Sequence, residues 1–166
     1  TRPEDYQFLR IGHRGASGHA PDNTLSALRT AASLGVDACE IDIQRTADGR
    51  CAVIHDAFLR APDGRVLPVQ RTSLAELQQV PLRDGERVPS LEEMLDLAHE
   101  LRIGLYIEIK DGGAVGLMVD ALRDAEAVGR VMLASSGSCS ALVMRSPNLR
   151  FFSSLSRCMS PQPAAW

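Results

Sequence analysis

Three acidic residues lie in apolar segments at positions that would let their side chains meet. Glu40 and Asp42 alternate with isoleucines, and Glu108 lies in a second run of the same kind. Alternation along a strand places Glu40 and Asp42 on one face, although either run taken singly would also fit the solvated face of an antiparallel strand. Carboxylates gathered in a buried place repel one another unless a positive charge lies among them. The pattern therefore predicts a divalent cation site, compatible with Mg²⁺ and with Ca²⁺.

Lys110 lies two residues after Glu108 and is the only lysine in the chain, whose other basic residues, in a Lys+Arg total of 18, are all arginine. Lysine presents a compact point charge, whereas arginine presents a planar fork. Two interpretations stay open for Lys110. It forms a simple strand ion pair, or it is a functional charge that contacts a phosphate group or restrains Glu108.

Two of the four histidines occupy positions suited to catalysis. His13 comes directly after one apolar run, and His55 closes another. Imidazoles at the ends of strands could serve as acid and base near neutral pH. Arg14 is suited to bidentate contact with a phosphate. His99 falls on the polar side of a predicted helix and is expected at the surface, whereas His19 is expected in a loop.

Apolar runs and capping residues predict alternating strands and helices. The capping signals are a Pro-Asp-Asn-Thr segment before the first helix and a Ser-x-x-Glu box before the helix that starts at Leu91. The predicted strands are Phe8–Gly12, Val36–Ile43, Cys51–His55, Gly104–Lys110, Val131–Ala134 and a weak Leu149–Phe152. The predicted helices are Leu25–Leu34, Ser73–Gln79, Leu91–Leu101 and Val115–Ala125.

This alternation indicates an α/β protein with a parallel sheet, either open and doubly wound or closed as a barrel. Strands of an open parallel sheet are covered on both faces and are almost entirely apolar, so acidic residues on the strands favour a TIM-type (β/α) barrel. Such a barrel takes eight strands and roughly 250 residues. We expect a partial barrel domain over 1–152 that stops after about six strands, with an inserted excursion at about 57–88 and an irregular tail over 153–166. An open barrel of this kind is expected to be weakly active or inactive.

Composition excludes several other classes of protein. The 166 residues carry a formal charge of -3 with no basic cluster, so nucleic acid is not an expected partner. No apolar run approaches the ~20 residues of a membrane-spanning helix, and no stable membrane insertion is expected. The four cysteines lack metal-site spacing and are expected to be free thiols in a reducing compartment, which predicts a cytoplasmic protein. Because the chain opens at Thr1 and not at Met, an upstream segment that was removed or not included stays open, and with it the compartment.

Six short motifs stand in a characteristic order along the chain. They are His13-Arg14-Gly15, Pro21-Asp22-Asn23-Thr24, Glu40-x-Asp42, Thr46-x-Asp48-Gly49, His55-Asp56 and Glu108-x-Lys110. Each motif alone is weak, but the ordered set resembles the glycerophosphodiester phosphodiesterase family of the PLC-like phosphodiesterase superfamily. The resemblance runs from about Ile11 to Ala134, and that family also carries a small insertion after its His-Asp motif.

The resemblance implies a barrel hydrolase of glycerol and lipid metabolism. It would use one divalent cation, Mg²⁺ or Ca²⁺, to cut a small-molecule glycerophosphodiester into glycerol 3-phosphate and an alcohol such as choline or ethanolamine. The nucleophile is open between water and the neighbouring glycerol hydroxyl. The implied roles are metal ligation by Glu40, Asp42 and Glu108, acid/base catalysis by His13 and His55, phosphate binding by Arg14 and Lys110, and ordering of the first loop by Asn23.

The sequence departs from the family pattern at two further places. Asp22 stands where the family usually has a glutamate, which shortens one carboxylate by a methylene. Ser135-Ser136-Gly137 lacks the aromatic residue that the family tends to have after its serine. The second departure bears on the shape of the alcohol pocket.

Two alternative functions remain compatible with the sequence. A lipid-active barrel phosphodiesterase, of the sphingomyelinase D or phosphatidylinositol phospholipase C type, would need a surface for the bilayer. Aromatic residues make up 4% of the chain, and no basic amphipathic helix is evident, so this alternative is less favoured. The other alternative is an inactive fragment that keeps the metal site. The preferred alcohol and the oligomeric state are left open.

Overall fold

The computed structural model describes residues 9–127, 131–135 and 138–143. Its strands are β1 (Ile11–Gly12), β2 (Ala38–Arg45), β3 (Cys51–Val53), β4 (Phe58–Arg60), β5 (Val66–Pro68), β6 (Gly104–Ile109), β7 (Val131–Ser135) and β8 (Ser138–Val143). Its α-helices are α1 (Leu25–Ser33), α2 (Leu74–Gln78), α3 (Leu91–Leu101) and α4 (Ala114–Asp124). Two 3₁₀ turns cover Val69–Arg71 and Arg83–Gly85.

Four strands of the main sheet are parallel neighbours, in the order β1, β2, β6 and β7. Helix α1 connects β1 to β2, α3 precedes β6, and α4 connects β6 to β7. The register places Asp42 of β2 opposite Glu108 of β6. The predicted α/β fold with a parallel sheet is confirmed.

The main hydrophobic core lies between one face of this sheet and the three longer helices. Alternate residues of the strands enter it together with the apolar sides of α1, α3 and α4. Among its fully buried members are Leu28, Ile41, Ile43, Leu91, Met94, Leu105, Ile107, Met118 and Leu122. Since one core contains all three helices, they cover the same face of the sheet. A helix layer on one face only is the arrangement of a barrel wall, whereas a doubly wound sheet has helices on both faces.

Helices α1 and α3 begin where capping residues predict them, and α2 begins with a capping box that was not predicted. Ser90 caps α3 and Ser73 caps α2, each in a complete capping box with Glu93 and Glu76 respectively. The Thr24 side chain accepts a hydrogen bond at the start of α1. These contacts satisfy backbone N–H groups that have no partner within the helix. No helix in the described part of the chain is long and apolar enough to cross a membrane.

One predicted strand has a different role from the one expected. The run predicted as Cys51–His55 forms β3 over Cys51–Val53, and β3 pairs antiparallel with the end of β2. It is the return arm of a hairpin, so counting it among the barrel strands was wrong. The five residues between β2 and β3 are too few for a parallel crossover, which needs a dozen or more. Strand β8, antiparallel to β7, was not predicted, and the predicted strand at 149–152 and tail at 153–166 lie outside the described residues.

The excursion at 57–88 has more regular structure than its prolines and glycines predict. Besides the predicted short helix, it contains the antiparallel pair β4 and β5, and its apolar side chains form a second cluster. Asp48, in the turn of the β2–β3 hairpin, links the two parts. Its Oδ1 accepts hydrogen bonds from the Thr46 hydroxyl at 2.6 Å and from Leu74 N–H at 3.1 Å. The hairpin is thereby bonded to the start of α2.

Candidate active site at the ends of the parallel strands

The three predicted metal ligands lie together on the face of the sheet opposite the helices. One carboxylate oxygen from each of Glu40, Asp42 and Glu108 lies within 4.8 Å of the others. Glu40 is 7% exposed and Asp42 is 1% exposed. Strand alternation brings Glu40 and Asp42 to this face, and the β2–β6 register places Glu108 beside Asp42. The group could hold a metal ion.

Asp42 lies between two cationic side chains. Lys110 Nζ is 3.0 Å from Asp42 Oδ1 and 2.8 Å from Glu108 Oε1, and Arg14 Nε is 3.3 Å from Asp42 Oδ2. Partial burial lowers the pKa of Lys110, but the bonds to Glu108 and Asp42 outweigh this effect and hold that pKa above its ordinary value. Lys110 therefore contacts both Glu108 and Asp42, and the contact with Glu108 agrees with a strand ion pair and with a restraint on Glu108 alike.

The loop between β1 and α1 is bonded to Asp42 through Asn23. The Asn23 amide donates to Asp42 Oδ2 at 2.9 Å, and Asp42 N–H donates to Asn23 Oδ1 at 3.1 Å. Asn23 and Arg14 adopt φ values of 57° and 51°, in the left-handed region that costs non-glycine residues energy. Asp22 Oδ2 lies 3.2 Å from the Arg14 guanidinium, so the shorter acid at this position still reaches the arginine.

Glu40 has one bonded oxygen and one free oxygen. Its Oε2 accepts a hydrogen bond from Arg14 N–H at 2.8 Å, whereas its buried Oε1 has no hydrogen-bond partner among the described residues. Burial raises the pKa of Glu40 to about 7; the bond from Arg14 opposes this shift, and the charges of Asp42 and Glu108 add to it. A buried carboxylate with a free oxygen and acidic neighbours fits a position beside a divalent cation, which binds carboxylate oxygens.

His13 lies directly after β1, at the open side of the acidic group. Its Nε2 is 3.9 Å from Glu40 Oε2, which is longer than a hydrogen bond, and its side chain is 70% exposed. The ring is thus near the candidate metal ligands and accessible from solvent. This placement agrees with the predicted position at the end of a parallel strand.

His55 reaches the same region by way of the hairpin, two residues after β3 ends. Ile54 N–H donates to the Asp42 carbonyl at 2.9 Å, which brings this segment level with the candidate metal ligands. His55 Nδ1 is 2.7 Å from Asp56 Oδ1. Because an ionised carboxylate can only accept hydrogen bonds, this contact assigns the proton to Nδ1 and leaves Nε2 available for proton transfer.

A cavity of about 240 Å³ separates the first loop from the excursion. Its polar lining comprises Arg14, Asp22, Asn23, His55, Asp56 and Arg60. Its apolar lining comprises Val53, Ile54, Phe58, Leu59, Leu82 and Val88. The excursion thus forms one side of a cavity that adjoins the acidic group. The other two histidines are exposed, His19 in the first loop and His99 on α3.

Gln44 belongs to this region but was missed by the sequence analysis. It is 3% exposed, and its amide donates to the carbonyls of His55 at 2.8 Å and Ile54 at 3.3 Å. The signal that could have found it is the alternation of Glu40 and Asp42, which continues to Gln44 on the same face of β2.

Comparison with known proteins identifies the family of this chain. Residues 13–157 match the Glycerophosphoryl diester phosphodiesterase family. The chain is 33% identical over 140 residues to a glycerophosphodiester phosphodiesterase of Caldanaerobacter subterraneus, covering 76% of this chain and 57% of that one. It is 32% identical over 119 residues to a glycerophosphodiester phosphodiesterase of Bacillus subtilis, covering 63% of this chain and 40% of that one. The chain belongs to the glycerophosphoryl diester phosphodiesterase family.

Solved structures show the same fold. A glycerophosphodiester phosphodiesterase of Agrobacterium tumefaciens superposes with a TM-score of 0.72 at 30% identity, covering 80% of this chain and 59% of that one. A phosphodiesterase of Oleispira antarctica, in complex with the product sn-glycerol-3-phosphate, superposes with a TM-score of 0.68 at 31% identity. The match covers 75% of this chain and 56% of that one. The chain spans about half the length of the curated relatives it matches.

Proposed function

We propose that this chain supplies the metal-binding and acid/base residues of a hydrolase that cuts glycerophosphodiesters into sn-glycerol 3-phosphate and an alcohol. The observation that carries the proposal is the group of Glu40, Asp42 and Glu108, with carboxylate oxygens within 4.8 Å of one another, beside His13. Membership of the family and the product bound to the Oleispira antarctica relative support the choice of substrate class.

The formal charges of the site suit a phosphodiester once a cation is bound. Arg14 contacts Asp42 and Asp22, and Lys110 contacts Asp42 and Glu108, whereas Glu40 lies within 4.8 Å of Asp42 and Glu108. The four formal negative charges of Glu40, Asp42, Glu108 and Asp22 exceed the two positive charges by two, and this excess would repel the single negative charge of a phosphodiester. A divalent cation cancels that excess. Glu40, Asp42 and Glu108 would hold this ion, for which we propose Mg²⁺ or Ca²⁺, because oxygen ligands suit both.

The proposed reaction divides its work among residues of this chain. When bound, the metal would neutralise charge on the phosphoryl oxygens. Of His13 and His55, one imidazole takes a proton from the nucleophile and the other gives a proton to the leaving oxygen. Asp56 holds His55 Nδ1, so that Nε2 carries out the transfer. Arg14 and Lys110, which both contact Asp42, also bind the phosphate.

Binding and turnover together test this proposal. Addition of sn-glycerol 3-phosphate to the ¹⁵N-labelled chain with Mg²⁺ or Ca²⁺ is expected to shift the amide signals of 13–15, 40–42 and 108–110, and a chelator should reverse the shifts. Any hydrolysis of glycerophosphocholine, which we expect to be weak, should require the metal, and sphingomyelin should remain intact. Product binding elsewhere on the chain, or an absence of both binding and turnover in a folded, metal-loaded sample, would refute the proposal.

A further inference from the structure

The carbonyl groups of Ile54 and His55 are bonded by a side chain and not by a neighbouring strand. Strand β3 ends at Val53, and the Ile54 N–H still bonds to the Asp42 carbonyl at 2.9 Å. The next two carbonyl groups, of Ile54 and His55, both accept hydrogen bonds from Gln44 Nε2, at 3.3 Å and 2.8 Å. One amide group thus continues the hairpin pairing as far as His55.

The position of Gln44 makes this contact rigid. Gln44 is 3% exposed and lies opposite Ala52 in the β2–β3 hairpin. It shares its strand and its face with Asp42, two residues earlier, which is a proposed metal ligand. Buried carbonyl groups need donors, and a donor on a paired strand has little freedom to move. The same strand therefore carries metal ligands and the donor that fixes the His55 backbone.

We infer that Gln44 is a positioning residue that sets where His55 lies relative to the metal ligands. Asp56 orients the imidazole ring, and Gln44 fixes the backbone from which the ring extends. The catalytic part of this inference rests on the proposed role of His55 in acid/base chemistry, whereas the placement of His55 does not. Without Gln44 the segment keeps the backbone bonds of Ile54 N–H to Asp42 and of Val69 N–H to Ala57, but it loses the donor to the two carbonyl groups between them, so His55 is expected to shift.

The test compares two glutamines that both donate from a buried or half-buried amide. Gln44→Met removes the donor to His55 and keeps the length of the side chain. Gln78→Met is the matched control. Gln78, the last residue of α2, donates from Nε2 to Glu93 Oε2 of α3 at 3.2 Å and makes no contact with His55 through this bond. A purely structural role predicts that both variants lower stability and leave the histidine rings unaltered.

Imidazole NMR signals of the four histidines give a readout that needs no turnover. Gln44→Met is expected to shift or broaden the His55 signal while those of His19 and His99 stay unchanged, and Gln78→Met should alter none of them. The dissociation constant for Mn²⁺, used as the probe metal, should stay within about twofold in both variants. A folded Gln44→Met protein with an unchanged His55 signal would overturn the inference.

A double-mutant cycle tests the catalytic consequence. Displacing a reacting group by about 1 Å can cost on the order of 10²-fold in rate, so Gln44→Met should lower kcat about 10- to 100-fold with KM unchanged. In a His55→Ala background the same substitution should have no further effect on kcat. An equal loss in both backgrounds would contradict the inference. If the parent chain neither binds sn-glycerol 3-phosphate nor turns over, the proposed function fails, and the imidazole spectra still decide the placement of His55.

Discussion

At the residue scale, the acidic side chains of the site differ in how far the protein itself satisfies them. Asp42 accepts from Asn23 and contacts both Arg14 and Lys110. The buried Oε1 of Glu40 has neither a hydrogen bond nor an ion pair among the described residues, whereas Asp42 Oδ1, which also lacks a hydrogen bond, lies 3.0 Å from Lys110 Nζ. Asp42 is therefore held in place by protein contacts without a cation, and Glu40 has an unpaired oxygen that a cation could bind.

Removal of either proposed acid/base group should slow the reaction. In a parent protein with measurable turnover of glycerophosphocholine, His13→Ala and His55→Ala are each expected to lower that turnover by roughly 10²- to 10⁴-fold, which is the usual contribution of general acid/base catalysis. His99→Ala is the control, since His99 is exposed on α3. Steady-state kinetics on the three variants is the measurement, and a near-normal rate in either of the first two would remove that histidine from the mechanism.

Loss of the Asn23 amide should weaken metal binding without removing a ligand. Asn23 exchanges two hydrogen bonds with Asp42, and partners that orient a ligand typically contribute about 10- to 100-fold to metal affinity. Asn23→Ala is therefore expected to raise the dissociation constant for Mn²⁺ by that factor, measured by titration calorimetry. The exposed Gln70→Ala serves as control. Equal affinities in parent and Asn23→Ala would show that Arg14 and Lys110 suffice to orient Asp42.

The sequence predicted some of these residues more directly than others. Glu40, Asp42 and Glu108 could be placed because strand alternation and register are regular. His55 was expected near the site for the wrong reason. The sequence placed it at the end of a barrel strand, whereas in the structure it follows the return arm of the β2–β3 hairpin. Gln44 was missed since a glutamine on a strand has no motif of its own, and its role depends on which carbonyl groups the folded chain brings within reach.

At the element scale, helix starts were easier to predict than the small strands of the excursion. Ser73 and Ser90 each begin a local capping pattern that a few neighbouring residues determine. Strands β4 and β5 have three residues each, too few for alternation to stand out on either side of the turn that contains Pro62 and Gly64. Their pairing depends on packing within the second hydrophobic cluster, which the local sequence does not show.

The capping box of α3 offers a stability test away from the site. Ser90→Ala removes the side-chain acceptor of Glu93 N–H, and loss of such a cap costs about 0.5–2 kcal/mol of the free energy of unfolding. Urea denaturation should show this loss. Ser33→Ala is the control, because the Ser33 hydroxyl bonds to Thr30 near the exposed end of α1. Equal midpoints for Ser90→Ala and the parent would mean that Glu93 and its contact with Arg87 hold the helix start alone.

At the scale of the whole molecule, the helices cover one face of the sheet and the site lies on the other. The strand β6 shows this division, since its helix-facing residues are buried and Glu108 on the opposite face is only half-buried. Over the described residues the sheet follows a path from β1 to β8. The carboxylates depend on β2 and β6 alone, which are adjacent and in register.

Metal binding should stabilise the whole fold. A ligand that binds only the folded state raises the free energy of unfolding, by about 2.7 kcal/mol at 100 times its dissociation constant. Addition of Mg²⁺ or Ca²⁺ is therefore expected to raise the Tm of the parent, and a chelator should reverse the change. Glu40→Gln lacks one proposed ligand and should respond much less. A Tm that is insensitive to metal in the parent, or an equal rise in the variant, would argue against a shared site.

The return arm that delivers His55 also bears on how such a chain can change in length during evolution. The distance along the chain from Asp42 to His55 is determined by paired strands and their five-residue connection, and a shift of one residue in a strand moves its side chains to the opposite face. A deletion in the connection at 46–50 would therefore separate the histidine from the acids. The exposed loop at 62–65, at the tip of the β4–β5 pair, has no such constraint and can accept added residues. Relatives of this chain should thus vary in length within the excursion and keep the number of residues between the second acid and the histidine.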